Sequence, residues 1–555
     1  METIPVTESL DRNTPHGTPP FAGRNIVVFS DGTGQDGGVR PEQRVSNVYK
    51  LYRVARVHPD NAIDPAEQVC FYDPGLGTDV GATALTRPVR TMQKLLASVT
   101  GRGITQNIAE CYEFLINHYC EGDRIFLLGF SRGAYTVRSL ANLLMLCGIP
   151  TKTREGDLPR FRKRIREIAH EAVDTVLEHG AGYPRTTYEN ERFEMARRFR
   201  EKYGSGSTDW DGDSNAAAYF IGVFDTVAAL GAGGFRRVWV TFLLFLMFTA
   251  GAAVPLFAVS AAITGLIMAF ADISFWGTAL SLTAALIIVG NAIFWGRQRL
   301  SYKKTIHDFP NKGDKPRSHY AEWRSENFDR LLSKQVKYAR SANAIDETRA
   351  DFDRVAWGSK GQEHILRQNW FAGNHSDIGG SYPETESRLS DIALQWMIER
   401  ATEIPDGLKI GPVMSNGVKL ANTGERGTAL HLYPSASGIQ HCEIAGTTDM
   451  IAGYARWLPK RLRPFAERLN YKTKIRKILP DANLHPTVFE RLDMPEVLQC
   501  AKSGQYRPDA LQNHDECRPY FPAVQEAEPP AVQQDQESAT HENSSLQDEP
   551  SKVTG

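Results

Sequence analysis

The pentapeptide Gly129-Phe130-Ser131-Arg132-Gly133 holds a serine between two glycines. That spacing is the nucleophile elbow, in which a serine hydroxyl is lifted clear of a sheet on a sharp strand-to-helix turn. Gly129 and Gly133 lack the side chains that would crowd such a turn. The chemistry it serves is attack on a carbonyl, which leaves a negatively charged oxygen in need of hydrogen-bond donors. The N–H of Arg132, at the start of the following helix, is one expected donor. The other is expected from the loop after an early strand, where Ser30-Asp31-Gly32-Thr33 offers Gly32 and Thr33.

A serine nucleophile needs a base, and the base needs a group to orient it. His375 follows an apolar run and precedes small residues, a setting that His364 lacks. Asp225, just past the end of the run Tyr219 to Val223, is the expected acid. Asp377, close behind His375, is the alternative acid. Asp31, Asp73, Asp225, His375 and Asp377 could instead be metal ligands of a phosphohydrolase, a rival reading that leaves the elbow without a use. A non-catalytic membrane scaffold of the same fold is the second rival. The leading reading needs no cofactor and no metal.

The elements that must position these residues are legible from apolar runs and periodicity. Asn25 to Phe29, Gln68 to Tyr72, Ile125 to Gly129 and Tyr219 to Val223 read as buried strands. Val45 to Arg56, Ile104 to Tyr119, Ala134 to Cys147 and Leu389 to Ile404 read as helices. Strands alternating with helices predict a mostly parallel sheet covered on both faces, an α/β-hydrolase-like architecture in which the triad follows in the order serine, acid, histidine. Val238 to Gly296 carries a single charge, Asp272, and is long enough for two spans of about 20 residues. Arg236 and Arg237 precede it, and Arg297, Arg299, Lys303 and Lys304 follow it. It is therefore expected to form a transmembrane hairpin with both ends, and the catalytic domain, on the cytoplasmic side of the inner membrane.

The remaining composition sets bounds. Sixty-four basic and 65 acidic residues, net −1, give no nucleic-acid footprint. Seven scattered cysteines without C-x-x-C spacing argue against a disulfide framework or a zinc site and for a reducing compartment. Met1 to Pro20 is polar, without a basic start followed by an apolar core, and does not read as a secretory signal. The expected organisation is a disordered lead (1–22), a first hydrolase part (23–235, with a charged helical insertion at 151–210), the hairpin (236–299), a second hydrolase part (300–405), a C-terminal extension (406–522) and a disordered tail (523–555). Within the extension, Tyr454 to Leu479 is strongly basic with interleaved aromatics. Contact with an anionic bilayer surface and a solvated basic face are equally open.

The ordered set Ser30-Asp31-Gly32-Thr33, Gly129 to Ala134, Phe220 to Val227 and Trp370 to Gly380 resembles the type VI secretion phospholipase-effector-like hydrolase family. His485 to Leu492 and Tyr506-Arg507-Pro508 are similar to that family's C-terminal end. The resemblance implies an α/β-hydrolase fold, a triad of Ser131, Asp225 and His375, and esterase activity of the phospholipase A kind on lipids. It also brings membrane lipids and a secretion-system or immunity-type protein into the range of partners. The apolar insertion between acid and histidine departs from the family's simplest pattern.

Overall fold

The computed structural model describes residues 23–32, 44–75, 104–180, 183–184, 187–207, 212–227, 234–302, 304–308, 317–321, 331–358, 361–444, 473–500 and 502–521. The lead 1–22, Thr33, the tail from 522 and most of the basic stretch (445–472) lie outside the described residues.

Six strands form the central sheet: β1 (Asn25–Ser30), β2 (Gln68–Asp73), β3 (Arg124–Phe130), β4 (Ala218–Phe224), β5 (Tyr338–Ala344) and β6 (Leu366–Phe371). Their spatial order is β6-β5-β4-β3-β1-β2, and every neighbouring pair is parallel. Alternation along β1 divides the core. Ile26 and Val28 enter one cluster with Ile108, Leu115, Leu140 and Leu144, from α2 (Ile104–His118) and α3 (Arg132–Cys147). Val27 and Phe29 enter the other with Val48 and Leu51 of α1 (Asn47–Ala55) and Leu389, Trp396 and Met397 of a long helix, Arg388–Thr402. Helices on both faces are what parallel strands with crossover connections require. The chain runs outward from β1 to β2, then crosses back to β3. The β1–β3 junction is therefore the switch point at which α/β sheets bind ligands.

The charged stretch after β3 supplies α4 (Lys163–Glu171) and α5 (Glu189–Tyr203). Ile165, Ile168, Ala196, Phe199 and Tyr203 bury into the α2–α3 core, so these helices form an outer cover there. β5 is a strand for which the sequence gives no signal. Tyr338-Ala-Arg-Ser-Ala-Asn-Ala344 has neither an apolar run nor alternation, and small residues fit between two neighbouring strands.

Between β4 and β5 lie α6 (Gly234–Met268) and α7 (Phe275–Tyr302), packed against each other. Each contains a stretch long and apolar enough to cross a membrane, Thr249–Met268 and Phe275–Ile293. Val254, Leu266, Trp276 and Ile288 are exposed on them, and Phe270 in the turn between them. The C-terminal extension packs on the β6 edge. The Trp370 N–H donates to Asn483 O (2.9 Å) and the His485 N–H to Trp370 O (2.9 Å). A third core of Ile345, Trp370, Leu484, Val488, Leu492 and Tyr506 seals the contact.

One expectation is corrected here. Cys442 and Cys500 form a disulfide, with Cα atoms 5.0 Å apart. Local pairing brings them together: the Gln440 N–H donates to Leu498 O (3.1 Å) and the Cys500 N–H to Gln440 O (3.0 Å). No spacing rule in sequence reports such a pairing, because the separation is 58 residues.

Candidate active site

Ser131 stands at the carboxyl end of β3 with φ 58° and ψ −120°, a backbone state that a serine adopts only when its surroundings impose it. The imposition is steric. A Cβ at Gly129 would meet Gly133 O at 2.6 Å, and one at Gly133 would meet Ser30 O at 2.1 Å and Asp31 O at 2.6 Å. Both glycines are therefore needed for the turn to sit this close to β1. The Ser131 N–H donates to Phe224 O (3.1 Å), and its carbonyl accepts from the Val227 N–H (3.4 Å). The elbow is thus laced to both sides of Asp225. The Ser131 side chain makes no cap bond to α3, so its hydroxyl is not spent on the helix.

Asp225, fully buried at the end of β4, places Oδ2 at 2.5 Å from His375 Nδ1. Its Oδ1 accepts the Ala344 N–H (3.0 Å) and an Arg476 Nη1–H. Nη2 of Arg476 donates to Oδ2 at 2.9 Å. Burial would push the Asp225 carboxyl up, but the Arg476 charge, followed by the bond to His375, holds it well below the usual carboxylate range. His375 opens a short helix, α8 (His375–Gly379). Its N–H donates to Glu347 Oε2 (3.2 Å), and its ring stacks on Phe130, with centroids 4.7 Å apart. Nδ1 is engaged by Asp225, and Nε2 is enclosed without a hydrogen-bond partner among the described residues. A base with one nitrogen oriented and the other unengaged is ready to accept a proton, and the bond to a nucleophile is often loose before substrate binds.

Asp377, the alternative acid, is brought to His441 rather than to His375. It closes a capping box with Asn374, which turns it away from the His375 ring. His441 Nδ1 lies 2.7 Å from Asp377 Oδ1, and the His441 N–H donates to Asp377 Oδ2 at 3.1 Å. His441 Nε2 reaches Glu386 at 3.1 Å. On the oxyanion side, the Arg132 N–H has no acceptor among the described residues, as expected for the first turn of a helix. The residue is 9% exposed, and burial lowers its guanidinium to about 10. The Gly32 N–H is occupied by Asp31 Oδ1 at 2.7 Å. Asp31 also accepts from Ser46 (2.5 Å) and Tyr72 (2.8 Å), while burial pushes it up to about 6. Asp73 is likewise engaged by Ser30 and Asn107. Among the described residues no three His, Cys, Asp or Glu side chains are grouped to hold a metal ion.

Sequence reasoning missed Arg476. It lies in a stretch of many basic residues, and nothing local marks it as the buried one. Glu347, which supports His375, was missed with the unsignalled β5.

The molecule is thus an α/β protein whose strand ends gather a serine on a strained turn and a carboxylate–imidazole pair. Residues 24–255 and 304–400 match the family described as T6SS phospholipase effector Tle1-like, catalytic domain. The chain belongs to that family. The uncharacterized protein YEL023C of Saccharomyces cerevisiae is 24% identical over 477 residues, covering 79% of this chain and 66% of the yeast protein. A crystal structure of an uncharacterized protein from Pseudomonas aeruginosa matches at 15% identity and TM-score 0.30, over 70% of this chain and 46% of that one. A structure of the Tle1 effector bound to the VgrG spike of the type 6 secretion system matches at 16% identity and TM-score 0.24, over 69% of this chain and 57% of that one. The chain therefore spans about two thirds of the yeast relative and about half of each of these structures.

Proposed function

We propose that this chain is a membrane-anchored serine hydrolase of α/β-hydrolase type that cleaves carboxylic esters, chiefly acyl esters of lipids or phospholipids. The observation that carries the reading is the 2.5 Å contact of Asp225 with His375 Nδ1, with Nε2 left unengaged on the same sheet edge as the strained Ser131. In this mechanism His375 Nε2 takes the Ser131 proton as Oγ attacks the acyl carbonyl. The oxyanion forms beside the Arg132 N–H at the positive end of α3. Collapse expels the alcohol, protonated by His375, and leaves an acyl-serine. Water, deprotonated by His375, then releases the acid and regenerates Ser131. Asp225 holds the imidazole in the required tautomer.

The family match runs through 24–255 and resumes at 304, which supports treating 236–299 as an insertion into one hydrolase domain built from 23–235 and 300–405. Ser131 and Asp225 precede the insertion and His375 follows it, so both flanks emerge on one side of the bilayer and the crossings are even in number. Two long apolar helices with outward apolar side chains support a two-span hairpin. Flanking arginines and lysines favour the cytoplasmic face of the inner membrane. The first partner is then the bilayer itself. The family's description as a T6SS effector makes a secretion-system component the protein partner to try next.

The test is labelling of the full-length protein with a fluorophosphonate probe, followed by lipid mass spectrometry of cells with and without it. Labelling should be confined to Ser131 and lost in Ser131→Ala. That variant should lose turnover of a p-nitrophenyl ester on the order of 10³-fold or more. Near wild-type turnover by Ser131→Ala overturns the reading.

A further inference from the structure

The segment that carries Arg476 lies beyond the matched catalytic-domain residues, yet it ends inside the site. It is pinned by the pairing of Thr473 with Arg349 and by the Lys474 N–H, which donates to Thr348 O at 2.8 Å. From there Arg476 turns inward and is buried. Its two terminal nitrogens grip both oxygens of Asp225. The same nitrogens donate to Ala344 O (3.0 Å) and Phe352 O (2.8 Å), so the guanidinium is itself fixed by backbone at two points. A planar fork matched to a carboxylate sets direction as well as charge. Asp225 Oδ2, which orients His375, is thereby shared between an imidazole and a cation.

We propose that Arg476 is a positioning residue for ester hydrolysis, locking the Asp225 carboxylate and offsetting its charge where it meets the His375 imidazole. This rests on the reading of Ser131, His375 and Asp225 as a triad. An uncompensated buried carboxylate against an imidazole favours the imidazolium, which cannot act as base. Arg476 moderates that pull without breaking the orienting bond. The other charged groups facing the ring do not duplicate it. Glu347, after β5, accepts the His375 N–H and is paired with Arg349. Asp353 is paired with Lys474. Asp377, on the helix of His375 itself, is paired with His441. The rings stacked or edge-on to His375 are the uncharged Phe130 and Phe352. Arg476 is therefore the one cation bonded directly to the group that orients the base, among the described residues.

The test is the pH profile of kcat/KM on a soluble p-nitrophenyl ester, measured on full-length protein in detergent for wild type, Arg476→Met and Arg476→Lys. The acid limb of that profile reports the free enzyme's base. With the charge removed, the limb should move up by about one pH unit or more, corresponding to a tenfold or larger change in the protonation equilibrium. With the charge kept but the fork lost, the limb should stay near wild type while kcat falls. An Arg476→Met limb equal to wild type, in a protein that fluorophosphonate still labels, overturns the proposal. If Arg476→Met does not fold, Arg476→Gln is set against Arg476→Lys, and equal acid limbs overturn it. Failure of the triad reading is distinguishable, because Ser131 would then escape labelling in the wild type; that result would overturn this proposal too.

Discussion

Phe130 fills a slot between two glycines, and that slot offers a severe test of how packing serves the chemistry. The ring stacks on His375, and the residue is 3% exposed. A Cβ at Gly379 would meet Phe130 Cε2 at 1.8 Å and Cδ2 and Cζ at 2.2 Å. On the opposite side, a Cβ at Gly32 would lie 3.1 Å from Phe130 Cδ1. Gly379→Ala therefore forces the ring from 1.8 Å to ordinary contact at 3.4 Å or beyond, and a buried aromatic has no free rotamer to take it there. Overpacking of this kind costs about 1–3 kcal/mol. The ring cannot move without releasing the face of His375, and misplacement by about 1 Å is worth up to about 10²-fold in rate. The expected outcome is a lowered thermal midpoint together with a kcat loss of tenfold or more on a p-nitrophenyl ester. Phe130→Leu in the same chain should recover part of the stability, giving a coupling of about 1 kcal/mol or more in the double-mutant cycle. A Gly379→Ala protein with wild-type midpoint and wild-type kcat would refute the reasoning.

Three further outcomes are expected. Asp225→Asn should lower kcat by about 10⁴-fold, as loss of the orienting acid does elsewhere. It also strands Arg476, so stability should drop by about 3–5 kcal/mol, whereas Asp377→Asn should be mild in kcat; the reverse ranking would show that the acid is misassigned. Burial works against the His441 imidazolium, but the Asp377 and Glu386 carboxylates outweigh it and raise its pKa. A raised folded-state value means that the contribution is complete below about pH 6.5 and is lost as pH climbs through the folded value. The stability gap between wild type and His441→Gln should thus be widest near pH 6 and shrink at higher pH, and a gap independent of pH contradicts the clamp. For topology, a cysteine replacing Asp272 should react with an impermeant thiol reagent in intact cells and one replacing Glu155 should not; labelling of both counts against the hairpin.

What could be read in the sequence, and what could not, divides by range. The elbow, β1 to β4, α1 to α3 and the two apolar helices each announce themselves within about 20 residues, through periodicity or turn chemistry. Ser131, Asp225 and His375 could be singled out as candidates because the first two follow apolar runs directly and the third lies in the loop after one. β5 was not, because its small residues are chosen by neighbours on both sides. Asp377 was a reasonable second acid until Asn374 claimed it for a capping box, a bond whose geometry depends on where the chain turns. Gly32 was offered as an oxyanion donor, but the carboxylate of Asp31 takes its N–H. Arg476 and the Cys442–Cys500 disulfide depend on contacts across 251 and 58 residues. Only the tertiary fold reports them.

The match to the family's catalytic domain ends at residue 400, but the molecule has no boundary there. Arg476 holds Asp225. His441 holds the residue that caps the histidine's helix, and the Asn374 side chain donates to His441 O at 2.8 Å. Tyr506 donates to Asp346 at 2.8 Å, and Asp346 in turn accepts the Gly373 N–H, two residues before His375. Three separate parts of the C-terminal extension thus converge on one side of the site. Asp225 is fully buried. Without Arg476 its charge would be sustained, among the described residues, only by the Ala344 N–H and by an imidazole that the proposed mechanism needs neutral. Neutralising the acid would forfeit the tautomer of His375, and keeping it charged and uncompensated would favour an inert imidazolium. A buried acid in this position needs a cation that does not titrate near neutral pH, and an arginine held by two backbone carbonyls meets that need where a lysine, as a point charge, would not. The extension is thereby part of the body that holds Asp225 and the helix of His375, although the residues that make it so are spread over a stretch whose composition suggests a surface.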